Sequence, residues 1–494
     1  MSLSPKIKFT LFALCAALLL GFGAYKKQSE ISAFKERQNH IQSFENKEIQ
    51  GFSSREFLGI KNTQPNFKTP KFSSLENTQS NFSNHKFSSN ESKFNVSSPE
   101  FSGVESDLKN ATDDEKIHAE SQDFSANFAP KSSLIKPPTK SAHSSTLAMT
   151  SRGLMALFFA GSREGARDVQ IFQSFYNGAK GEWSEPESIL NARQLSKMSG
   201  KFIKKLGNPV AFESGGAVHF FVVGVSLGGW ATSRVYQLEF DEHLKPKFKG
   251  ELRLGAFANL SHLVRNPAAS LKNGAFVLPL YHELARKYAL LGFFDENAKL
   301  LYTRRINSLK NQLQPSLIID DAECLAFFRN HKAHNSVAFL QKCSQNSEFW
   351  DTPTPTNLKN YDSSSVLGEI FVNGKSEILL VHNDGKDDFA GENANLAAPN
   401  TDISSKSANN NAHPRSKLSL FWLKDKEKGE FIRLFSIDEG GEVSYPAIYA
   451  HSNGGKVLEN GLYISYTLDR KAIKMKFFSA DTIKRAIESK RGEK

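Results

Sequence analysis

Short apolar runs separated by polar turns dominate the chain from His143 onward. The runs are about four to eight residues long, are rich in Val, Phe, Ile and Tyr, and recur roughly every 10–15 residues. They lie at 154–160, 169–175, 218–225, 275–280, 322–329, 337–341, 378–381, 418–423 and 461–466. Such runs, bounded by Gly, Asn, Asp and Lys, are typical of β-strands. The pattern predicts an all-β domain, with one basic helix near 480–489.

The number of strands indicates the kind of β-fold. About 350 residues of this pattern hold roughly 24 strands, which is too many for a simple sandwich and suits a propeller of four-stranded blades. Weak internal repeats agree with this interpretation, since SFYNGAKGEW (174–183) and CSQNSEFW (343–350) each join a polar turn to a Trp. In such boxes a short side chain such as Asp or Asn accepts hydrogen bonds from backbone N–H groups of the turn, while the aromatic ring packs between strands.

The N-terminus has the pattern of an export signal. Lys6 and Lys8 precede an uncharged stretch, 9–25, that is rich in Leu, Ala and Phe. A positive segment before such a run is read by the secretory machinery, and its length suits either a signal peptide or a short membrane anchor. We expect residues 1–27 to export the chain and favour an uncleaved anchor over a cleaved signal. The domain is then anchored in a membrane, facing the periplasm or the cell exterior, or is secreted to the periplasm.

Two segments lack any strand pattern. Residues 28–138 are rich in Ser, Asn and Lys with isolated Phe, and NFKTPKFSS (66–74) recurs as NFSNHKFSS (81–89). Such a composition buries too little apolar area to offset chain entropy, so we expect a low-complexity disordered linker. Residues 385–414 are expected to form a flexible insertion. The predicted propeller spans 139–484, and a basic tail follows at 485–494.

Composition and charge exclude several classes. The chain has 494 residues, 39% of them hydrophobic, which is too polar for a polytopic membrane protein. Its three cysteines exclude a disulfide-stapled scaffold and a cysteine-rich structural zinc site, although Cys324 and Cys343 could form one disulfide across a hairpin. The net charge of +11 is spread along the chain rather than concentrated in a stripe, so no nucleic-acid partner is expected. No metal cluster or nucleotide fingerprint is evident, and no cofactor is predicted.

A series of motifs resembles the bacterial sialidase-like family, also described as neuraminidase-type or BNR-repeat (Asp-box) proteins. The opening segment is 143–174, and the motifs that follow in family order are LGNPV (206–210), GGW (228–230), LPLYHE (278–283), QPSL (314–317), TNLKNYDSSSV (356–366), GGEVSYPAIY (440–449) and YTLDRKAIK (466–474). The resemblance covers about 140–480. It implies a six-bladed β-propeller and an exo-glycosidase that hydrolyses terminal sialic acid or a related acidic sugar from glycoconjugates.

The resemblance also implies a retaining mechanism with a tyrosine nucleophile. The anomeric carbon of sialic acid carries a carboxylate, which would repel a carboxylate nucleophile, so a phenol activated by a nearby Glu is the physical alternative. Tyr445 is the expected nucleophile. Its base is Glu283 or Glu442, and Glu283 ranks first because it matches the family order.

The remaining roles concern the substrate carboxylate and the leaving group. A carboxylate clamp needs the planar fork of arginine. Arg163 has the position of the first clamp residue, Arg415 and Arg470 are candidates for the others, and Arg304 or Arg305 competes, with Arg305 preferred. Asp168 is the expected general acid. It follows the first Arg by only five residues, and AGSRE replaces the FRIP-type strand of well-studied sialidases.

Further candidates and other function classes stay open. Glu164 also flanks Arg163, and His143 and His282 are polar candidates for which a structural role is the simpler interpretation. The same fold could serve a glycosidase or lyase for another anionic sugar, or a non-catalytic glycan-binding or envelope scaffold propeller. The expected partners are an acidic glycan and, through the N-terminal segment, a membrane.

Overall fold

A computed structural model gives the structure of residues 130–492. Seven segments inside this range are not described: 256–258, 321–322, 332–335, 345–348, 361, 385–414 and 452–457. The predicted export segment, nearly all of the predicted linker and the predicted insertion lie outside the described residues. Within the described residues, 26 strands form six antiparallel sheets of four or five strands. The predicted six-bladed β-propeller is therefore confirmed.

The first three blades follow one another along the chain, after strand β1 (Lys131–Ile135). Blade 1 comprises β2 (Ser141–Thr150), β3 (Gly153–Gly161), β4 (Gln170–Asn177), β5 (Glu182–Trp183) and β6 (Glu187–Asn191). Blade 2 comprises β7 (Lys205–Ser214), β8 (Ala217–Val225), β9 (Ser233–Phe240) and β10 (Pro246–Glu251). Blade 3 comprises β11 (His262–Val264), β12 (Ala269–Ser270), β13 (Phe276–His282), β14 (Tyr288–Phe294) and β15 (Leu300–Arg304).

The last three blades repeat the same antiparallel order. Blade 4 comprises β16 (Gln312–Ile319), β17 (Cys324–Asn330), β18 (Ser336–Lys342) and β19 (Thr354–Asn360). Blade 5 comprises β20 (Val366–Val372), β21 (Lys375–Asn383), β22 (Lys417–Asp425) and β23 (Glu430–Glu439). Blade 6 comprises β24 (Val443–His451), β25 (Gly461–Leu468), β26 (Ala472–Ser479) and, as its outer strand, β1.

Strand β1 closes the ring by pairing with the last strand of the chain. It runs antiparallel to β26, with Ile135 opposite Ile473, so the first and last strands of the domain share one sheet. Ile135 is almost completely buried and packs among the apolar side chains of blades 1 and 6. This strand lies inside the range that the sequence assigned to the linker. The sixth blade thus includes Lys131–Ile135, five residues that the sequence assigns to the linker.

Three short helical elements lie between or beside the blades in the described part of the chain. Helix α1 (Ala192–Ser199) follows blade 1 and starts with a capping box, in which Asn191 and Gln194 each bond the other's backbone N–H. A 3-10 helix (Trp230–Thr232) lies between β8 and β9. Helix α2 (Ala480–Gly492) buries Ile483 and Ile487 against blades 5 and 6. In the described residues, no helix is long and apolar enough to cross a membrane.

Aromatic side chains fill the space between neighbouring blades. Between blades 2 and 3, the rings of Phe212 and Phe276 meet edge to face at 4.9 Å, and Phe276 stacks on Phe294 at 4.5 Å. These rings are buried in one apolar cluster. Wide flat side chains suit the gap between face-packed sheets, which accounts for much of the Phe content of the chain.

Cys324 and Cys343 form a disulfide in blade 4. Cys324 begins β17 and Cys343 follows β18, and their Cα atoms are 5.1 Å apart. The two backbones also pair here, since the N–H of Cys343 donates to the carbonyl of Cys324 at 2.9 Å. The disulfide therefore joins two adjacent strands that the sheet already holds in register.

Glu213 is a partly buried carboxyl near the end of β7, and it makes stability depend on pH. It accepts a hydrogen bond from the backbone N–H of Met149. Burial raises its pKa to about 7. Because the folded-state pKa exceeds the unfolded value, the folded protein keeps this proton at acidic pH. The contribution to stability is complete below the unfolded pKa and is lost as the pH rises through about 7.

We expect Glu213→Gln to stabilise the protein at alkaline pH. The amide keeps an oxygen for Met149 but carries no charge, so it avoids a burial cost of about 3 kcal/mol for the carboxylate. Thermal unfolding followed by circular dichroism should show a higher Tm than the wild type at pH 8.5 and only a small difference at pH 5. Glu182→Gln, at an exposed glutamate, is the control and should show no such pH-dependent gain. An equal Tm for Glu213→Gln and wild type at pH 8.5 would contradict the assignment.

Candidate functional site

The inner strands of three blades share an irregularity near their beginnings. The first strands of the blades contact each other there, as β2 does with β7 and β24. A β-bulge interrupts β2, β16 and β24 near their beginnings. Each bulge contains a residue with positive φ: Ser144 at 58°, Gln314 at 48° and Tyr445 at 55°. Such backbone is strained for residues with a side chain and re-aims the side chain locally. We call the end of the propeller where these strands begin the upper face.

Tyr445 lies at the centre of this arrangement. It is 8% exposed, and its hydroxyl accepts hydrogen bonds from Arg329 Nη1 at 3.1 Å and from Gln314 Nε2 at 3.5 Å. Arg329 comes from β17 and also donates from Nε to Asp362 Oδ1 at 2.8 Å. A guanidinium held by a carboxylate is thus fixed against the phenol oxygen. This contact stabilises negative charge on that oxygen.

A second arginine lies against the ring of Tyr445. Arg265 follows β11, is 0% exposed, and its Cζ is 5.1 Å from the ring centroid. Its two terminal nitrogens donate to the carbonyls of Ser145 at 3.2 Å and Pro446 at 2.8 Å. Burial lowers the pKa of Arg265 to about 10, so it remains charged at neutral pH. Arg265 therefore joins the backbone of β2 to that of β24, the strand that carries Tyr445.

His143 packs on Tyr445 as a neutral ring. The two ring centroids are 4.2 Å apart, and the imidazole also meets Phe159 edge to face at 5.6 Å. Burial, and then the charges of nearby arginines including Arg470 and Arg265, hold its pKa well below the usual range. Among the described residues, neither ring nitrogen has a hydrogen-bond partner. The histidine therefore offers two polar atoms without adding charge.

Glu442 holds two further arginines at the edge of the site. Arg470 donates to it from Nε at 2.7 Å and from Nη2 at 3.2 Å, which is a bidentate pair. Arg415 donates to Glu442 at 3.5 Å and to the backbone carbonyl of Asp362 at 2.6 Å. Burial alone would raise the pKa of Glu442, but the bond and charge of Arg470 lower it. This ionised partner of two arginines is suited to positioning them rather than to accepting a proton.

Glu283 is a carboxyl near the site whose pKa is raised. It follows β13, and its backbone N–H donates to the carbonyl of Ser261 at 3.1 Å. Burial raises its pKa, against the lowering charges of Lys287 and Arg329. A carboxyl with a raised pKa exchanges protons more easily near neutral pH.

A second tyrosine, Tyr281, is linked to Tyr445 through Gln314. The hydroxyl of Tyr281 accepts from Gln314 Nε2 at 3.3 Å and from Asn208 Nδ2 at 3.4 Å. The same Gln314 amide lies within 3.5 Å of Tyr445, so it links the two phenols. Burial, followed by the charges of Glu283 and Tyr445, raises the pKa of Tyr281 well above its usual value. Tyr281 thus stays protonated and can donate to a ligand or to a neighbouring oxygen.

The structure separates some of the residues that the sequence grouped. Arg415 lies with its Cζ 5.7 Å from the ring centroid of Tyr445 and shares Glu442 with Arg470. Glu283 is near enough for its charge to act on Tyr281. Asp168 instead closes its own loop on the upper face, where Ser162 donates to its two oxygens from N and Oγ at 2.9 Å each.

The other arginine predictions also lie outside the cluster around Tyr445. Arg163 is in the loop of Asp168 and lines a groove beside Arg470. Arg305 places its Cζ 4.8 Å from the ring centroid of Tyr288, on which His282 also stacks at 4.9 Å. In the described residues, no contact joins Arg163, Asp168 or Arg305 to Tyr445. The predicted catalytic or clamp roles of these three remain predictions.

Sequence reasoning missed five residues that touch Tyr445 or position its partners: Arg265, Arg329, Asp362, Gln314 and Tyr281. Arg265 has a visible signal, since it is a single charge in the otherwise apolar stretch HLVRNPAA (262–269). Gln314 and Asp362 occur in the motifs QPSL and TNLKNYDSSSV. The sequence alone assigns no role to the residues of these motifs. Arg329 only ends an apolar run, so nothing in the sequence distinguishes it from a surface arginine.

The cluster combines a phenol with several guanidinium groups, and we call it the anion-binding cluster. The charges of Arg265, Arg329, Arg415 and Arg470 act on His143, and the first three also contact Tyr445. The carboxylates paired with these arginines are Asp362, Glu442 and Glu164. In the part of the chain that the structure describes, no group of three His, Cys, Asp or Glu residues could hold a metal ion. The arrangement can bind a carboxylate and can stabilise negative charge on a tyrosine oxygen.

Comparisons with known proteins agree with this fold. Residues 152–458 match the BNR repeat-like domain family. No curated protein matches the chain. Trypanosoma rangeli sialidase in complex with the inhibitor DANA is similar in structure, with a TM-score of 0.52 and 10% identity over 74% of this chain and 61% of that one. A Hadza microbial sialidase has a TM-score of 0.51 and 11% identity over 69% of this chain and 66% of its own.

A third structure is similar over nearly its whole length. This protein of unknown function from Dyadobacter fermentans has a TM-score of 0.51 and 12% identity, and the match covers 70% of this chain and 97% of that one. The chain spans about three fifths of the length of the Trypanosoma sialidase. At these identities the similarity establishes a common fold.

Proposed function

We propose that this chain, which belongs to the BNR repeat-like domain family, is a glycoside hydrolase of the sialidase type that releases a terminal sialic acid or a related acidic sugar from glycoconjugates. One observation carries the proposal. The hydroxyl of Tyr445 lies 3.1 Å from Arg329 Nη1, and the guanidinium groups of Arg265 and Arg415 lie over its ring. A tyrosine oxygen held by a cation and arginines that can bind a carboxylate are the two features that hydrolysis at an acidic anomeric carbon requires.

In the proposed reaction, the arginines hold the sugar carboxylate beside Tyr445. The Tyr445 oxygen attacks the anomeric carbon while the bond to the leaving oxygen breaks. Arg329 stabilises the developing phenolate, and Glu283 takes the phenol proton, which its raised pKa supports. Asp168, the acid predicted from the sequence, gives a proton to the leaving oxygen. Water then cleaves the tyrosyl–sugar bond and restores Tyr445, so the configuration is retained.

We further propose that the chain acts outside the cytoplasm. The disulfide between Cys324 and Cys343 supports this, because such bonds persist mainly in oxidising compartments. The predicted export segment at 1–27 then either anchors the domain in a membrane or is removed. Acidic glycans of the cell exterior are accessible from this location.

The full-length chain tests the proposed function directly. We expect it to release methylumbelliferone from the α-glycoside of sialic acid and not from the corresponding β-galactoside, which lacks a carboxylate. Proton NMR of the products should show the α-anomer of free sialic acid before the β-anomer, as retention requires.

Three other outcomes distinguish the alternatives. Early appearance of the β-anomer would exclude the tyrosine nucleophile. Release from a glucuronide but not from a sialoside would identify a glycosidase for another acidic sugar. No release from any glycoside, together with a Tm raised by free sialic acid, would indicate a glycan-binding protein without turnover.

A further inference from the structure

We propose that a groove beside Arg470 is a second sugar subsite that binds an anion, so that the preferred ligand carries acidic sugars in consecutive positions. We call it the basic groove; Arg163, Glu164, Lys205, Trp230, Arg470 and Lys471 line it. Its volume is about 700 Å³, which lies within the usual range of small-molecule sites. The proposal rests on the function above, since it assigns the first acidic sugar to the site of Tyr445.

The basic groove and the site of Tyr445 share one side chain. Arg470 donates from Nε to Glu442 at 2.7 Å, and its Nη1 pairs with Glu164 on the side of the groove. The groove lies on the upper face, because the loop after β3, the start of β7 and the turn between β25 and β26 all lie there. A chain of sugars leaving the first site past Arg470 enters this groove.

The charges of the groove are arranged for an anion. Its acidic residues are engaged by the protein itself, Glu164 by Arg470 and Asp469 by the backbone N–H of Glu442 at 2.8 Å. Among the residues that the structure describes, no carboxylate pairs with Arg163, Lys205 or Lys471. Burial and the neighbouring charges of Lys204 and Arg163 lower the pKa of Lys205, so the protein holds like charges together. A bound carboxylate relieves this repulsion.

Trp230 gives the groove a feature of sugar recognition. The Lys205 ammonium lies 4.8 Å from the Trp230 ring centroid. Gly207 allows the indole to lie close against β7, since a Cβ there would come within 2.8 Å of the ring. Sugar rings have apolar faces that pack on aromatic rings, and their carboxylates bind cations. Trp230 and Lys205 therefore provide both contacts for one acidic sugar.

Binding measurements on a chain that cannot turn over test the subsite. In full-length Tyr445→Phe, isothermal titration compares sialic acid with α-linked disialic acid at physiological salt. We expect the dimer to bind at least tenfold more tightly. Adding Lys205→Gln or Trp230→Phe should reduce this advantage to less than about threefold and leave the affinity for the monomer unchanged. Lys247→Gln, at an exposed lysine of β10, is the matched control and should retain the full advantage.

The outcomes separate this inference from the proposed function. If the wild type hydrolyses the monomeric sialoside but the dimer has no advantage, the subsite is overturned and the function stands. If nothing is hydrolysed but the advantage persists and depends on Lys205, the subsite stands and the catalytic proposal fails. The same titration with mono- and digalacturonic acid tests whether the subsite binds an acidic sugar other than sialic acid. If neither dimer binds better than its monomer, the subsite is overturned.

Discussion

Tyr445→Phe is expected to lower kcat on a methylumbelliferyl sialoside by about 10³-fold or more. The substitution removes one oxygen, the proposed nucleophile, and keeps the ring that packs on His143 and Arg265. The carboxylate-binding arginines also remain. The dissociation constant for free sialic acid, measured by titration, should therefore change by less than about fivefold. A large loss of kcat with nearly unchanged binding is the behaviour of a group that acts only in the chemical step.

The control for this variant comes from the same strand. Tyr449→Phe removes a hydroxyl from β24 away from the cluster. We expect its kcat to stay within about twofold of the wild type. Thermal unfolding of both variants checks that they fold alike. If Tyr445→Phe kept more than a tenth of the activity, the phenol oxygen would not be the nucleophile, and Glu283 would become the first alternative to test.

Removing strand β1 should cause the largest loss of stability. A chain that starts at residue 138, close to the boundary that composition suggests, lacks β1 and exposes the edge of β26. It also loses Ile135, whose burial contributes about 2–3 kcal/mol. With the lost strand pairing we expect a total of about 4 kcal/mol. In a domain of this size that corresponds to a Tm lower by about 5 °C than that of a chain starting at residue 128.

Two point variants show whether this effect comes from the strand itself. Ile135→Ala should lower the free energy of unfolding by about 2–3 kcal/mol, at the low end of the range for buried isoleucines. Leu134→Ala is the matched control, since Leu134 is its neighbour on β1 but is 40% exposed, and it should cost less than about 1 kcal/mol. Equal Tm values for the two truncated chains would show that β1 does not close the propeller in solution.

The fold was accessible from the sequence because each blade repeats a local pattern. Apolar runs such as 154–160 and 218–225 became β3 and β8, and the polar stretches between runs became turns. Strand β1 was missed because KSSLI has only two apolar residues, so its composition resembles the linker before it. Its pairing with β26 joins residues more than three hundred positions apart, and no local pattern reports such a contact.

The candidate site was accessible only in part. Tyr445, Arg415, Arg470 and Glu442 lie in or near motifs of the family, and the structure brings them together. Asp168 and Arg305 are candidates because of their residue type and their order along the chain. Neither property determines where a side chain points. In the structure Asp168 accepts hydrogen bonds from Ser162, and Arg305 lies over the ring of Tyr288.

Length, periodicity and motif order alone were enough to establish an all-β propeller and its family, because strands and turns are encoded over a few residues. The position of the anion-binding cluster around Tyr445 was decided by tertiary structure. Arg265 and Arg329 come from different blades and reach Tyr445 only when the ring closes. The bulge that turns Tyr445 inward, with φ at 55°, is likewise imposed by its neighbours rather than by its own preference. Contacts between distant segments depend on closure of the whole ring. For that reason the chemistry of the anion-binding cluster could not be predicted from the sequence.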